Sequence, residues 1–292
     1  MPSVSVLKTL LRELITYERS PRVNEPDLVM DDPEKVAAYT RAGREDGVMA
    51  PVYLFHCAQI CGIIHSGDTV VDLGCGPATQ LAMVARLNPK INFIGVDLST
   101  TMLEKAQNYI TEQGLKNVEF RKGNITDLSF FGNQSIDAVI STVALHHLPN
   151  IVALEKTFSE IDRILKKNGG LYLVDFGHLK SEKSITDFAY QYSDSQPELF
   201  TLDYLYSLRA AFLLDDFKRL TSKHLKEAYL YSTFLAPFMV AIKSHSRCDK
   251  SNQGIIKKLH AFHDNLPDYH KTDLADLRTF FRLGGLHSKL LE

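Results

Sequence analysis

The stretch Thr69-Val70-Val71-Asp72-Leu73-Gly74-Cys75-Gly76-Pro77-Ala78-Thr79-Gln80 decides how this chain folds. It begins as an apolar β-rich run, passes through a glycine turn and continues into residues that favour a helix. Gly74 and Gly76 carry no side chain, so a ligand can lie directly against the backbone of this turn. The third glycine of the dinucleotide-binding fingerprint is missing, because Ala78 and Thr79 stand where it is expected. The turn therefore predicts a ligand site that differs from the dinucleotide one.

Two acidic residues flank this turn in the predicted fold. Asp72 lies two residues before the first glycine, and Asp97 ends the next β-rich run, residues 91–97. An aspartate at the end of a strand is a natural bidentate acceptor for two ribose hydroxyls. We therefore expect Asp97 to contact the sugar of a nucleoside ligand.

Short β-rich runs alternate with helical segments through the middle of the chain. The predicted strands cover residues 69–73, 92–96, 118–122, 136–141 and 171–176, and the predicted helices cover residues 78–87, 100–113 and 150–166. This alternation indicates a parallel sheet that is covered by helices on both faces.

The last two predicted strands, residues 229–233 and 238–242, are separated by only a few residues. Such a short link cannot cross over the sheet, so these two strands must be antiparallel. The prediction is an α/β fold with a doubly wound, seven-stranded, mostly parallel sheet. It ends in an antiparallel C-terminal hairpin, and helical additions precede and follow it.

The glycine turn, the strand-end Asp97 and the segment after the fourth strand resemble class I S-adenosylmethionine-dependent methyltransferases in order and spacing. The resemblance covers about residues 35–243. It is strongest toward small-molecule enzymes such as the ubiquinone/menaquinone C-methyltransferases and the arsenite methyltransferases. It implies a Rossmann-like methyltransferase sheet and S-adenosyl-L-methionine as the cofactor.

The resemblance also implies which residues hold that cofactor. The amino-acid part belongs at the glycine turn, the ribose at Asp97, and the adenine near the strand that follows. At the adenine position the family usually has an aspartate, whereas this chain has Asn124, which can both accept and donate a hydrogen bond. The expected cofactor-binding residues are Asp72, Gly74, Cys75, Gly76, Asp97, Leu98, Met102, Asn124, Ile125 and Thr142.

Three further residues are candidates for a catalytic role. His146 and His147 lie in the segment 141–149, which resembles the loop that passes beside the sulfonium in small-molecule methyltransferases. A histidine there could act as a base or orient the substrate, or it could simply cap or pack under the next helix. Tyr39 is expected to form a lid over the cofactor, with a core tyrosine as the alternative. Because the sulfonium methyl is already activated, no nucleophile triad is needed.

The chain divides into a predicted methyltransferase domain with additions at both ends. Residues 1–34 are expected to form an N-terminal helix and an irregular arm, with a membrane-surface helix as the less favoured alternative. The domain itself covers residues 35–243 and contains an enlarged, aromatic-rich helical insertion at residues 177–226. Residues 244–292 are predicted to be a helical C-terminal extension. The insertion could be a hydrophobic lid over the substrate or the core of an added helical layer.

The composition narrows the function classes. The 292 residues carry a formal charge of −2, so no broad basic excess is present to bind a nucleic acid. No apolar run approaches the ~20 residues that a membrane span requires. The four cysteines, Cys57, Cys61, Cys75 and Cys248, form no disulfide framework, which favours a reducing, cytoplasmic location.

Neither Cys57 with Cys61 nor His260 with His263 has the further ligands of a metal site, so no metal is predicted. The main prediction is methyl transfer to a small molecule of apolar or aromatic character. The alternatives are a protein or RNA methyltransferase and an inactive methyltransferase-like binding module. The helical additions could also hold a homodimer together.

Overall fold

A computed structural model describes residues 4–27, 30–43, 47–194, 196–247 and 253–291. Its centre is one seven-stranded sheet with the strand order β3-β2-β1-β4-β5-β7-β6. The strands are β1 (Thr69–Leu73), β2 (Asn92–Asp97), β3 (Val118–Lys122), β4 (Ile136–Thr142), β5 (Leu165–Phe176), β6 (Ala228–Ser232) and β7 (Met239–Ser244). The first five strands pair in parallel, and β7 is antiparallel to both β5 and β6. The predicted fold is therefore confirmed.

Helices cover both faces of this sheet. The helices are α1 (Val4–Ile15), α2 (Pro33–Ala42), α3 (Ala50–Cys61), α4 (Thr79–Leu87), α5 (Thr100–Glu112), α6 (Ile151–Ile164), α7 (Glu182–Ala189), α8 (Glu198–Ala210), α9 (Leu214–His224), α10 (Gln253–Asn265) and α11 (Asp268–Leu283). One apolar core includes α3, α4 and α11, and the other includes α6 and α9. The predicted doubly wound arrangement follows from this burial on both faces. Within the described residues, no helix combines the length and apolar character needed to cross a membrane.

The boundary between α6 and β5 differs from the prediction. The sequence predicts a helix to residue 166 and a strand from residue 171, but α6 already ends at Ile164 and β5 begins at once. Leu165 pairs with Ile136, and the register between β4 and β5 then shifts before Gly170 pairs with Ala138. The extended residues between Leu165 and Gly170 are polar rather than apolar. The sequence pattern therefore does not show where the strand starts.

The N-terminal arm is not a loose linker. The Ser20 N–H donates to the Lys180 carbonyl at 2.8 Å, and the Val23 N–H donates to the Arg209 carbonyl at 3.0 Å. These bonds lay the arm along the helical insertion. The helix α1 before it packs on α7 and buries Leu10, while Ile15 stays 73% exposed. The helical insertion therefore carries a second layer built from the start of the chain.

The C-terminal helices α10 and α11 pack on α3. The Phe281 ring lies parallel to the Phe55 ring with 5.2 Å between their centroids, and both side chains are fully buried. This stacking ties the C-terminal extension to the main domain. The extension is thus placed where it can contribute to a site beside the sheet.

Replacing Phe281 with alanine tests how much this packing stabilises the domain. We expect the free energy of unfolding to fall by roughly 3–5 kcal/mol, because a fully buried aromatic ring leaves a cavity. Urea denaturation followed by circular dichroism measures the change. The control Leu283→Ala, at a side chain that is 56% exposed, should change it by ~0.5 kcal/mol or less. Equal effects of the two variants would contradict this account of the extension.

Candidate active site

The glycine turn after β1 has the backbone that only glycine accepts readily. Gly74 has a φ of +73° and Gly76 a φ of +52°. A Cβ at Gly74 would overlap the Cβ of Ala144, which belongs to the loop after β4. The N–H groups of Gly74 and Cys75 both donate to the Val96 carbonyl, at 2.8 and 3.1 Å. The turn is therefore held against the ends of both neighbouring strands.

Asp97 at the end of β2 is bound to this turn. Its Oδ2 accepts from the Gly76 N–H at 2.9 Å, and its Oδ1 accepts from the Ser99 N–H at 2.9 Å. Burial raises the pKa of Asp97, although these backbone hydrogen bonds oppose the shift. Each carboxylate oxygen keeps a further lone pair, so the side chain can still accept from a ligand.

A cavity of about 300 Å³ lies between this turn and the ends of the neighbouring strands; we call it the turn cavity. Seven of the predicted cofactor-binding residues line it: Gly74, Gly76, Asp97, Leu98, Met102, Asn124 and Ile125. The other three, Asp72, Cys75 and Thr142, line an adjoining crevice of about 30 Å³ on the other side of the turn. The predicted cofactor-binding residues therefore line two neighbouring cavities.

The crevice holds polar groups that lack partners. Burial raises the pKa of Asp72 to about 7, with a further contribution from Asp97, and no described residue donates a hydrogen bond to its carboxylate. Both polar atoms of the Gln80 amide are buried there without a hydrogen-bond partner. A ligand with an ammonium and a carboxylate would satisfy these side chains. A free amino acid carries these two charged groups at its ends. Gln80 directly follows the glycine turn as the second residue of α4, and a glutamine in the first turn of a helix gives no sequence signal for a ligand contact.

Two predicted cofactor contacts need adjustment. The Cys75 thiol is packed against Gly95 and does not line the turn cavity, so only the backbone of Cys75 can serve a ligand there. The Asn124 Oδ1 accepts from the backbone N–H and the hydroxyl of Thr126, both at 2.9 Å. The Asn124 amide nitrogen is then the atom left to bind an adenine ring nitrogen.

A larger cavity of about 560 Å³ lies beside the turn cavity; we call it the aromatic cavity. Four of its rings, Phe188, Tyr192, Phe200 and Tyr204, come from the helical insertion, and Leu277 and Phe280 come from α11. Cavities of this size and character suit a drug-sized apolar molecule. Sequence reasoning gave the insertion and the C-terminal extension no firm role, and both contribute walls to this one cavity.

Three residues line both cavities: Tyr39, Val143 and His147. Tyr39 comes from α2, and its proximity to Tyr53 together with burial raises the pKa of Tyr39. Val143 has a φ of +54°, which is unusual and strained for a β-branched residue. Strain of this kind is retained where a loop must hold a set position. These residues form the junction between the two cavities.

His146, next to His147, is enclosed by carboxylates. Its Nδ1 lies 2.7 Å from Asp175 Oδ1, its backbone N–H donates to Asp175 Oδ2, and its Nε2 lies 3.3 Å from Glu25. Burial alone would lower the pKa of His146, but the two carboxylates outweigh it and raise the pKa to about 10. His146 therefore stays protonated at neutral pH and cannot accept a proton. The geometry assigns His146 to holding the loop and leaves His147 as the imidazole at the junction.

Glu25 and Arg22 from the N-terminal arm complete this network, and sequence reasoning missed both. Glu25 accepts a hydrogen bond from the Ser207 hydroxyl at 2.7 Å, and its other oxygen lies 3.4 Å from His147 Nδ1. Arg22 donates to the carbonyls of His146, Leu148 and Pro149 and lies over the Phe212 ring.

These contacts fix the loop that carries both histidines. Burial would raise the pKa of Glu25, but the nearby imidazoles of His146 and His147, at 3.3 and 3.4 Å, lower it overall. A charged and proline-rich arm gives no local signal for such a role.

Glu25, His146 and His147 offer one oxygen and two nitrogens within 4.8 Å of one another, a spacing that a metal ion could also use. The protonated ring of His146 already pairs with Glu25 through one nitrogen and with Asp175 through the other. A metal would have to displace that proton from between two carboxylates. We therefore interpret the cluster as an ion-pair network.

The variant Glu25→Gln tests this network. We expect it to lower the free energy of unfolding by roughly 3–5 kcal/mol, because it leaves buried charges without a partner. Urea denaturation at neutral pH measures the loss. The control Asp27→Asn removes an exposed ion pair with Lys35 from the same arm and should cost about 1 kcal/mol or less. A loss at Glu25 no larger than the loss at Asp27 would contradict the anchoring role.

Comparison with known proteins identifies the family of the central part of the chain. The family model described as a methyltransferase domain matches residues 64–218, just over half of the chain. The demethylmenaquinone methyltransferase of Listeria monocytogenes serotype 4a is 33% identical over 113 residues, which are 38% of this chain and 46% of that protein. The arsenite methyltransferase of Halobacterium salinarum is 31% identical over 110 residues, which are 37% of this chain and 27% of that protein. Each match spans less than half of the relative's own length.

A solved structure with the same fold covers far more of the chain. The plantazolicin methyltransferase in complex with S-adenosylhomocysteine superposes with a TM-score of 0.55 over 91% of this chain and 92% of that chain, at 16% identity. At this identity the likeness concerns the fold alone. Together with the family match, it confirms the predicted Rossmann-like methyltransferase architecture. The chain belongs to the methyltransferase domain family, and S-adenosyl-L-methionine is the methyl donor of such a domain.

Proposed function

We propose that this protein transfers the methyl group of S-adenosyl-L-methionine to a small, largely apolar molecule held in the aromatic cavity. The observation that carries the proposal is the junction at which the turn cavity and the aromatic cavity share Tyr39, Val143 and His147. A donor on one side and an acceptor on the other can meet there at short range. This proximity supplies most of what methyl transfer requires.

The residues around the turn cavity fit the donor. Asp97 would accept the ribose hydroxyls, and the amide of Asn124 would bind the adenine. Asp72 and the unpartnered Gln80 amide would hold the ammonium and carboxylate of its amino-acid part. When bound, the donor supplies an activated methyl group on a sulfonium.

The protein's own contribution is alignment, exclusion of water and removal of one proton. The aromatic walls keep water away from the junction. His147 is the base we assign, because its Nδ1 faces Glu25 and its other ring nitrogen is left for the acceptor. Tyr39 would close the junction from the side of α2. His146 and Arg22 act only by holding the loop.

A small acceptor fits this site better than a macromolecule. The aromatic cavity is walled on several sides by the insertion, by α11 and by the residues before α3, so a protein or RNA would have to reach through these elements. Relatives named demethylmenaquinone methyltransferase and 2-phytyl-1,4-naphtoquinone methyltransferase support the choice of a small, apolar acceptor. An inactive binding module is the weaker alternative, because the glycine turn and Asp97 are complete.

Labelled methyl transfer tests the proposal directly. The protein is incubated with methyl-labelled S-adenosyl-L-methionine and a cell extract that has been separated into small-molecule, protein and RNA fractions. We expect label in an apolar small-molecule product, and we expect His147→Asn to reduce that label by at least about tenfold as a lost general base. The control His263→Asn changes an exposed histidine on α10 and should leave labelling unchanged. Label confined to protein or RNA would overturn the proposed acceptor class.

The pH dependence of donor binding tests the assignment of Asp72. An ammonium prefers the ionised carboxylate, whose pKa in the free protein is raised to about 7. Binding must therefore expel a proton below that pH, and the affinity for S-adenosyl-L-methionine should fall by about tenfold for each further pH unit. Calorimetric titrations above and below neutrality measure this slope.

The variant Asp72→Asn should bind more weakly at high pH and show a flatter profile. The neighbouring Asp97 is present in both proteins, so the part of the slope that the variant loses is the part that depends on the Asp72 carboxylate. Identical slopes would remove Asp72 from the donor site.

A further inference from the structure

Asp203 is a carboxylate without a partner in the wall of the aromatic cavity. It lies on α8 and lines the cavity together with Phe200 and Tyr204 of the same helix, and no described residue donates a hydrogen bond to it. The lining side chains that the structure describes include Asp203, Asp273 and Asp276 but no lysine or arginine. An apolar cavity with this charge pattern disfavours an anion and favours a cation.

The nearby positive charges already have partners. The imidazolium of His146 lies between Glu25 and Asp175, and Arg22 is bound to loop carbonyls close to the same two carboxylates. Lys35, on the far side of Asp203, is paired with Asp27 at 2.6 Å. Burial and then Glu25 raise the pKa of Asp203 to about 6, so the carboxylate is still mostly ionised at neutral pH. Asp203 is thus a charged group in an apolar wall that lacks a cation of its own.

We propose that the methyl acceptor is an amine nitrogen on an apolar or aromatic molecule, and that Asp203 binds its ammonium form. This inference rests on the proposed methyl transfer and narrows its acceptor. A carboxylate flanked by aromatic rings is a well-suited site for an ammonium, because the ion pair and the ring faces both attract it. The rest of the cavity supplies the apolar contact for the remainder of the molecule.

Asp203 lies close to the point of transfer. Asp203 lines the aromatic cavity together with Tyr39 and His147. Both of these junction residues also line the turn cavity, where Asp97 is the proposed ribose-binding carboxylate. A nitrogen held by Asp203 is placed on the acceptor side of that junction.

Transfer to an amine also places positive charge on the nitrogen beside Asp203, where a carboxylate stabilises it. The bound ammonium first gives one proton to His147, and its nitrogen lone pair then forms the bond to the methyl carbon. The carbon–sulfur bond breaks with its electron pair staying on sulfur, so the positive charge ends on the methylated nitrogen. A fixed carboxylate beside that nitrogen stabilises the charge as it develops. A phenolate acceptor would instead lose its charge and gain nothing from Asp203.

Three probes with the same apolar body test the proposal: phenylbutylamine, phenylbutanol and phenylbutanoate. Calorimetric titration at neutral pH measures their binding to the full chain, both free and saturated with S-adenosylhomocysteine. We expect the amine to bind on the order of tenfold or more tightly than the alcohol, and the carboxylate most weakly. In Asp203→Asn the preference for the amine should disappear while the alcohol binds about as before. The control Asp215→Asn, at a side chain that is 85% exposed on α9, should retain the preference.

Equal binding of amine and alcohol to the unaltered protein would overturn the proposal, and so would a preference that survives in Asp203→Asn. Tighter binding of the matching ketone, phenylbutanone, than of the amine would also overturn it, because Asp203 would then act as a protonated donor. The free protein reports the amine preference without any cofactor. Failure of S-adenosylhomocysteine to bind would therefore count against the proposed function alone.

Discussion

The close approach of Gly74 to Ala144 is the constraint on which both halves of the site depend. β1 and β4 are neighbours in the sheet, so the turn after β1 and the loop after β4 leave it side by side. Their backbones can come this close only because position 74 has no Cβ. Val143 adopts its left-handed conformation just before this contact, at a cost of about 1–3 kcal/mol that the surrounding structure offsets. The donor site and His147 are thus set relative to each other by packing of the backbone.

The loop after this contact is then held from two directions. Asp175 on β5 binds both the ring and the backbone of His146, and the N-terminal arm binds it from the other side through Glu25 and Arg22. Burying these charges is costly, so the network is weak evidence for stability in itself. Its physical effect is to permit one arrangement of the loop, since any other would leave a buried charge unpaired. That requirement explains why the arm, although irregular, is closely bound to the domain.

The sequence predicted the sheet well because its strands are short apolar runs bounded by turns, and local patterns of that kind survive in three dimensions. It also identified the glycine turn and Asp97, since backbone requirements are visible in residue type. The directions of side chains were harder to predict. Cys75 lies between Gly74 and Gly76 in the turn, yet its thiol packs against Gly95. His146 and His147 are adjacent, and only their tertiary partners separate the anchored residue from the one at the junction.

Glu25, Gln80 and Asp203 could not be found from sequence because each gains its role through neighbours far away in the chain. Glu25 meets residues more than a hundred positions distant, and Asp203 becomes exceptional only because the described cations near it are already paired with other carboxylates. A carboxylate on an ordinary amphipathic helix carries no mark of this in its local sequence. Charge balance within a cavity is a property of the fold, so it can be judged only once the walls are known.

The residues that form the two cavities come partly from the segment that matches the methyltransferase family and partly from outside it. The segment 64–218 that matches the methyltransferase family contains the glycine turn and both histidines. Glu25 lies outside this segment, and so do Tyr39 and the α11 residues that line the aromatic cavity. The matched segment therefore supplies the sheet and its turns, whereas the walls of the aromatic cavity are completed by residues before and after it. Buried contacts such as Phe55 with Phe281 fix the C-terminal part of these walls to the core, so the aromatic cavity is part of the packed structure.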